Sequence, residues 1–301
     1  MNAKKRNRRI ITISVIVLIV AVAVGLGLVV AASNTSSPEI GKPVSSTILG
    51  YLTGVSDSTL STIGKPSGVV APTAISGTAL TSGGKPEILY VGGDYCPYCA
   101  MERWSLIVAL SQFGTFSNLL YMQSSSSDVN PNSPTFTFSN ATYTSQYITF
   151  VGVEEFTRSG SLLQNLTSAQ NALITDYDKC TSSGQNGGIP FVDIANAYVV
   201  SCGAQSSLDL SGQTWTQVAS VLNTPTSSTA QQIDGAANTL ITAICNVLKN
   251  SNAAQPSACS QSYASVTLAY VTAPSPGGQV TLSLGPQLRL ETRWTALPSH
   301  Y

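Results

Sequence analysis

The chain has 301 residues, a formal net charge of zero, and only 9% Asp, Glu, Lys and Arg beside 43% apolar residues; ordinary soluble proteins carry about 25% charged residues. A polypeptide of this size can bury a sizeable core, and its charge balance excludes a basic nucleic-acid binder. With one histidine, His300, and six cysteines, material for a metal centre is scarce.

Residues 1–9 carry Lys4, Lys5, Arg6, Arg8 and Arg9 and no acid. From Ile10 to Ala32 there are 23 residues without a charge, enough as a helix to cross a hydrocarbon core of about 30 Å. The basic flank predicts a single-pass signal anchor in the cell membrane, its N-terminus cytoplasmic and the rest extracytoplasmic. A signal peptide cleaved after Ala31 and Ala32 is the alternative. Beyond the tail, nine basic residues stand against fourteen acidic ones, a formal charge of −5. A surface built from Ser, Thr, Asn, Gln and Gly changes little in charge when carboxylates protonate. It suits an acidic external medium, or is simply a low-charge secreted surface. Residues 33–54, rich in Ser, Thr, Gly and Pro, read as a stalk. The main domain is expected over 55–262, opening on a short helix at 57–63, with a β-rich extension over 263–301.

Residues 85–110 read as a strand, a tight turn and a helix. The apolar run Ile88 to Val91 has strand character, Gly92 and Gly93 break it, and the helix opens on Cys96-Pro97-Tyr98-Cys99. A helix N-terminus favours negative charge, so it lowers the pKa of a cysteine placed there. Cys96 is the candidate nucleophile; Pro97 suits the first helical position. Cys99, on the same side of the turn, can resolve a mixed disulfide formed at Cys96. A lone CxxC is also half a zinc site, but zinc takes about four ligands and the chain has no second such pair. No metal and no cofactor is expected.

Downstream, a strand is expected over 119–123 and an insertion over about 125–160, extended and uncharged from Pro131 to Tyr147, with a strand over 147–156. Leu162, Leu163, Leu166, Ala169, Leu173 and Ile174 predict a crossover helix over 162–177. A hairpin of 191–194 with 197–200 turns at Ala195-Asn196, and helices follow at 215–222 and 230–248.

The stretch Gly187-Gly188-Ile189-Pro190-Phe191 resembles the cis-proline segment of the thioredoxin superfamily. That resemblance implies an α/β fold, a thioredoxin-like mixed sheet flanked by helices. It also implies that Pro190 is cis and faces Cys96 and Cys99, with Tyr95, Pro97, Tyr98 and Ile189 along a bound extended chain. Thioredoxins carry a buried aspartate six residues before the first cysteine, where this chain has Tyr90. Asp94 and Glu102 are the substitutes for moving the Cys99 proton. KPEILYVGGDYCPYCAMERW, LSQFGTFSNL, SPTFTFSNATYTSQYITF and GIPFVDIANAY, with the spacing of Cys245 to Cys259, resemble an uncharacterised prokaryotic, notably archaeal, family of membrane-anchored thioredoxin-fold proteins with a CPYC motif. The likeness covers roughly residues 55–260 and implies no substrate. Within its motif, Arg103 either lowers the Cys96 pKa or forms a structural ion pair; Trp104 reads as core.

Six cysteines suit an oxidising setting. Cys245 and Cys259, close in sequence, are read as a local bridge. That leaves Cys180 and Cys202, a structural bridge or a second redox pair exchanging with Cys96; an Ala195-Asn196 turn places Cys202 opposite Ile189. Asn34, Asn140 and Asn165 begin N-x-Ser/Thr sequons. The expected function is an extracytoplasmic thiol–disulfide oxidoreductase acting on cysteines of secreted or membrane proteins. An oxidase or isomerase is favoured over a reductase because the apolar span has no cysteine to relay electrons; otherwise a separate membrane redox partner is required. The alternative is a non-catalytic surface binding or adhesion module with a static Cys96–Cys99 bridge.

Overall fold

The computed structural model describes residues 36–182, 185–186, 188–205 and 208–261, Leu268, and three short strands beyond it. Helices α1 (Ser46–Thr53) and α2 (Asp57–Ile63) precede strands β1 (Thr73–Ala74), β2 (Thr81–Ser82) and β3 (Lys85–Gly93). Helix α3 (Pro97–Ser111) is followed by β4 (Gly114–Ser117), β5 (Leu120–Gln123), β6 (Pro134–Thr137), β7 (Thr142–Ser145) and β8 (Thr149–Phe156). Then come α4 (Ser168–Tyr177), β9 (Thr181–Ser182), β10 (Gln185–Asn186), β11 (Phe191–Ile194), β12 (Tyr198–Ser201), α5 (Trp215–Ala219) and α6 (Ser228–Asn250). Three final strands, β13 (Ala269–Val271), β14 (Leu282–Leu284) and β15 (Leu288–Arg289), form a small antiparallel sheet of their own.

A mixed sheet flanked by helices positions the site. β3 is its centre, parallel to β8 on one side and antiparallel to β11 on the other; β12 and then β1 extend the β11 edge, and β2 pairs with the start of β3. Because β3 is covered on both faces, it reads as a continuous apolar run rather than an alternating one. Ile88 and Tyr90 join the larger core, which α3 and α6 build; Leu89 and Val91 pack on the opposite face with Val153, Phe191, Val199 and Ile174 of α4. On α6, Ile233, Ala236, Ala237, Leu240, Ile241, Ile244 and Leu248 are all buried, a stripe at helical spacing. Thr167 with Gln170 opens α4, and Thr214 with Gln217 opens α5, each as a reciprocal capping box.

The expected helix at 57–63, the strand at 119–123, the hairpin at 191 and the two late helices are all present, but four boundaries move. First, residues 41–54 are part of the compact unit, which begins at Glu39, and not a stalk. Gly41 and Val44 donate to the carbonyls of Tyr121 and Leu119 at 2.9 and 3.0 Å, and Ile48 and Leu52 of α1 are buried. The Ser-Thr-Gly composition hid three apolar residues, Val44, Ile48 and Leu52, at intervals of four. Second, the segment that leaves the sheet is 114–145, because β8 lies inside the interval expected as an insertion and pairs with β3 over its whole length. That segment folds onto α3 as the β4–β7 and β5–β6 pairs. Trp104 donates to the Pro134 carbonyl at 2.8 Å, Thr135 to that of Ala100 at 2.8 Å, and Tyr143 to that of Leu110 at 2.8 Å. Third, the crossover helix starts at Ser168, with Leu162 and Leu163 exposed before it. Fourth, Ile194 pairs with Tyr198, so three residues turn the hairpin and Cys202 falls opposite Pro190 instead of Ile189.

Among the described residues no helix is long and apolar enough to cross a membrane. The anchor expected from Ile10 to Ala32, the basic tail, and the sequon at Asn34 lie outside the described residues, as does most of the 263–301 extension.

If α1 belongs to the core, Leu52→Ala removes a buried side chain and is expected to destabilise the protein by about 2–5 kcal/mol. Urea unfolding measures this, and an unchanged midpoint would return residues 41–54 to the stalk.

Candidate active site

The turn after β3 delivers Cys96 to the N-cap of α3. Its backbone is extended (φ −74°, ψ 123°), so its Sγ folds back and accepts the Cys99 N–H at 3.3 Å, with Pro97 at the first helical position. The Cys96 thiol donates toward the Ile189 carbonyl at 3.7 Å. The Ile189–Pro190 peptide is cis, and the Pro190 carbonyl accepts the Cys202 N–H at 3.1 Å. Cys96 and Cys99 are free thiols, Cys96 5% exposed and Cys99 fully buried. Hydrogen bonding from the Cys99 thiol, more than any other influence, holds the Cys96 thiol below the usual range; the Cys99 N–H and the Arg103 charge act the same way, against burial. Burial, then the hydrogen bond and charge of Cys96, push Cys99 well up. The pair is thus split into one acidic and one reluctant sulfur. Tyr95 meets Phe156 edge-on at 5.9 Å, and Tyr98, 46% exposed, flanks the helix start.

A fully buried guanidinium lies on the same helix. Arg103 forms a two-pronged pair with Glu154 of β8, Nε to Oε1 at 2.8 Å and Nη2 to Oε2 at 2.6 Å. Asp94 stands 3.8 Å from the same Nη2, an ionic contact too long for a hydrogen bond. Burial opposes the Arg103 charge, yet the Glu154 carboxylate keeps it firmly protonated. The Arg103 guanidinium also lies 5.7 Å from the centre of the Tyr90 ring. Tyr90 is fully buried with a hydroxyl that meets no hydrogen-bond partner. Burial pushes its pKa well up and the Cys99 and Cys96 charges add to that, so it is a neutral group beside the thiols. A Cβ at Gly92 would collide with this hydroxyl, which explains the glycine.

Glu102, one turn after Cys99 on α3, is fully buried; Oε2 accepts the Ala204 N–H at 2.7 Å and Oε1 has no partner. Burial lifts its pKa to about 7, against the Ala204 hydrogen bond. A Cβ on Gly203 would lie 3.7 Å from Glu102 Oε2 and 3.5 Å from Pro190 Cγ, so carboxyl and proline share one wall. Burial raises Asp94 as well, opposed by Arg103 and Thr137.

The expected site residues therefore converge: Asp94, Tyr95, Cys96, Pro97, Tyr98, Cys99, Glu102 and Arg103 line one strand-to-helix turn, faced by Ile189 and Pro190. Disulfides join Cys180 to Cys202 and Cys245 to Cys259. Asn140 and Asn165 are exposed. Sequence reasoning missed Glu154, although a carboxylate pair, Glu154-Glu155, ending an apolar strand in a chain with so few charges was a usable signal. Tyr90 stands out in the sequence only as a departure from the thioredoxin aspartate, and nothing in its neighbours marks it as lying beside the thiols.

A family model described as a domain of unknown function, DUF929, matches residues 71–246, and the chain belongs to that family. No curated protein and no solved structure matches the chain.

Glu154→Leu removes both hydrogen bonds of the buried Arg103 pair and leaves only the 3.8 Å contact with Asp94. It is expected to cost about 3–5 kcal/mol, whereas Arg103→Met with Glu154→Leu recovers most of it; denaturant unfolding of the three proteins checks this. Glu102 titrates at about 7 when folded and near 4.3 when unfolded. Between those values the folded state holds the extra proton, so its contribution is complete below about pH 4.3 and is lost as pH rises through about 7, a change on the order of 4 kcal/mol. Asp193, lifted to about 7 mainly by burial, works in the same direction. Stability is expected to be higher at pH 5 than at pH 8, with Glu102→Gln flattening the slope; unfolding midpoints across that range decide it.

Proposed function

We propose that this DUF929 member is a thiol–disulfide oxidoreductase on a thioredoxin-like fold, held outside the cell membrane by the apolar stretch from Ile10 to Ala32. The observation that carries the reading is the placement of Cys96: a sulfur at a helix N-cap, hydrogen-bonded from the Cys99 N–H and aimed at the Ile189 carbonyl before Pro190. In one direction the Cys96 thiolate attacks a client disulfide, forming a mixed disulfide and releasing one client thiolate. Cys99 then gives up its proton and attacks Cys96, which frees the second client sulfur. In the other direction a client thiolate attacks Cys96 of the Cys96–Cys99 disulfide and the same steps run backwards. The clients are cysteine-bearing secreted or membrane proteins, bound in extended form along Ile189 with Tyr95, Pro97 and Tyr98 beside them.

Roles follow from the surroundings. Arg103 supplies fixed positive charge that favours the Cys96 thiolate and is itself anchored by Glu154. Glu102, close to half-protonated at neutral pH and one helical turn from Cys99, is the acid–base group for the Cys99 proton. Tyr90, buried and neutral, helps keep water from that sulfur, and burial favours the thiol until Cys96 is consumed.

Alkylation of Cys96 against pH is the test, made in the Cys99→Ser protein and paired with the reduction potential of the wild-type couple. The midpoint is expected below about 8.5, the ordinary thiol value, with the potential above about −300 mV. Arg103→Met is expected to move the midpoint upward. A midpoint at about 8.5 with a potential below about −300 mV would instead assign Cys96–Cys99 to a static bridge on a surface binding module.

A further inference from the structure

We infer that the Cys180–Cys202 disulfide is a second redox pair that exchanges electrons with Cys96–Cys99 through attack of Cys96 on Cys202, an inference that rests on the oxidoreductase reading above. The hairpin register is the first observation. β11 and β12 pair Phe191 with Ser201, and one step further the Cys202 N–H donates to the Pro190 carbonyl at 3.1 Å. The carbonyl of the preceding residue, Ile189, is the one that the Cys96 thiol contacts at 3.7 Å. Consecutive carbonyls of one short segment thus hold the nucleophile and the backbone of Cys202.

The second observation is the chain's course around that bridge. Cys202 and Gly203 take φ of +65° and +88°, left-handed values that a residue with a Cβ rarely adopts. They turn the chain off β12 against the active-site wall, where a Cβ on Gly203 would lie 3.5 Å from Pro190 Cγ and 3.9 Å from the Tyr98 carbonyl. Third, the two half-cystines differ: Cys202 is exposed and Cys180 is buried. An incoming sulfur from the active-site side therefore meets Cys202 and expels Cys180. The Cys180 N–H donates to Asp178 Oδ1 at 2.8 Å, and Cys180 is buried; a bare thiolate is poorly solvated there, so the freed Cys180 sulfur takes up a proton. The Cys245–Cys259 bridge shares none of this, joining α6 to the turn at Ser257–Ser260.

The exchange balances without a further reactant. Cys96 thiolate attacks Cys202 Sγ, making Cys96–Cys202 and releasing Cys180 as a thiolate. The proton that leaves Cys99 is matched by the one Cys180 gains. Cys99 thiolate then attacks Cys96, making Cys96–Cys99 and leaving Cys202 with the negative charge that Cys96 began with. Two electrons pass from one pair to the other.

Two measurements on the full chain test this. Reduction of Cys180–Cys202 by ~0.1 mM dithiothreitol is followed by acid quench, alkylation and peptide mass spectrometry, in wild type and in Cys96→Ser. A neighbouring thiolate has an effective concentration of about a millimolar or more, so the wild type is expected to be faster by about tenfold. In Cys99→Ser with Cys180–Cys202 intact, peptides joining Cys96 to Cys202 are expected, with Cys180 as the alkylated thiol. Equal reduction rates, with Cys96 still forming a mixed disulfide with added glutathione disulfide, would overturn the relay and leave the oxidoreductase reading standing. Cys96 inert toward glutathione disulfide would remove both. Peptides joining Cys96 to Cys180 would overturn the assignment of the attacked sulfur.

Discussion

The buried pair of Arg103 and Glu154 is the constraint on which the site depends. It ties α3, whose first turn carries the thiols, to β8, the strand that pairs with β3 in parallel. Two charges at about 4 Å attract by roughly 4 kcal/mol at an effective dielectric constant of 20, while desolvating each ion costs several kcal/mol. The pair is therefore poor value as stabilisation. Its effect is positional: two parallel hydrogen bonds fix both the angle of the guanidinium and the seating of the helix. A lysine at 103 could supply the charge without the orientation. Glu154 also accepts the Phe138 N–H at 3.2 Å, so the 114–145 segment is tied to the same carboxylate.

This placement belongs to a wider pattern in which charge has moved inward. Of the fourteen acidic residues, Asp94, Glu102, Glu154, Asp178, Asp193 and Asp234 are buried. Arg103 is their one buried cationic partner among the described residues. Burial raises the pKa of Asp94, Glu102, Glu154, Asp193 and Asp234. Proteins usually lose stability in acid because paired surface carboxylates must protonate. Here burial lifts Glu102 and Asp193 to about 7, so these two hold their protons into the weakly acidic range while Glu154 stays paired with Arg103, and the surface has few other carboxylates to lose. The sparse surface charge and the buried acids favour the same condition, a folded state more at ease below neutral pH than above it.

Much of this was legible in the sequence. The placement of Cys96 at the start of its helix, the hairpin after Pro190, α6 and the Cys245–Cys259 bridge could be read because each depends on local signals: a turn before an apolar helix, helical spacing, or cysteines a short distance apart. Cys180–Cys202 followed as the two cysteines left over. The misplaced boundaries share another cause. Val44, Ile48 and Leu52 sit in Ser-Thr-Gly sequence whose composition resembles a linker, and only tertiary burial reveals them as core. β8 could be recognised as a strand but not as the neighbour of β3, because sheet order is not a local property. Leu162 and Leu163 continue the helical spacing of α4 yet precede its Thr167 cap; capping chemistry ended the helix where periodicity did not. The polar contacts beneath the thiols, Arg103 to Glu154 and Glu102 to Ala204, span 51 and 102 residues, beyond any spacing rule.

The N-cap geometry also bears on redox direction. A cap side chain accepting an orphan helix N–H stabilises the helix by about 0.5–2 kcal/mol. A thiolate accepts better than a thiol, because hydrogen bonds to charged groups are the stronger kind. Joining Cys96 to Cys99 would remove the charge from that acceptor, so α3 is better capped in the dithiol state. For a two-electron couple, about 1.4 kcal/mol corresponds to 30 mV. Capping alone therefore moves the couple roughly 10–40 mV toward the oxidising side, and Arg103, by favouring the same thiolate, moves it further in that direction. Both effects oppose the long-lived bridge of an inert surface module, and both act through atoms within the first two turns of α3.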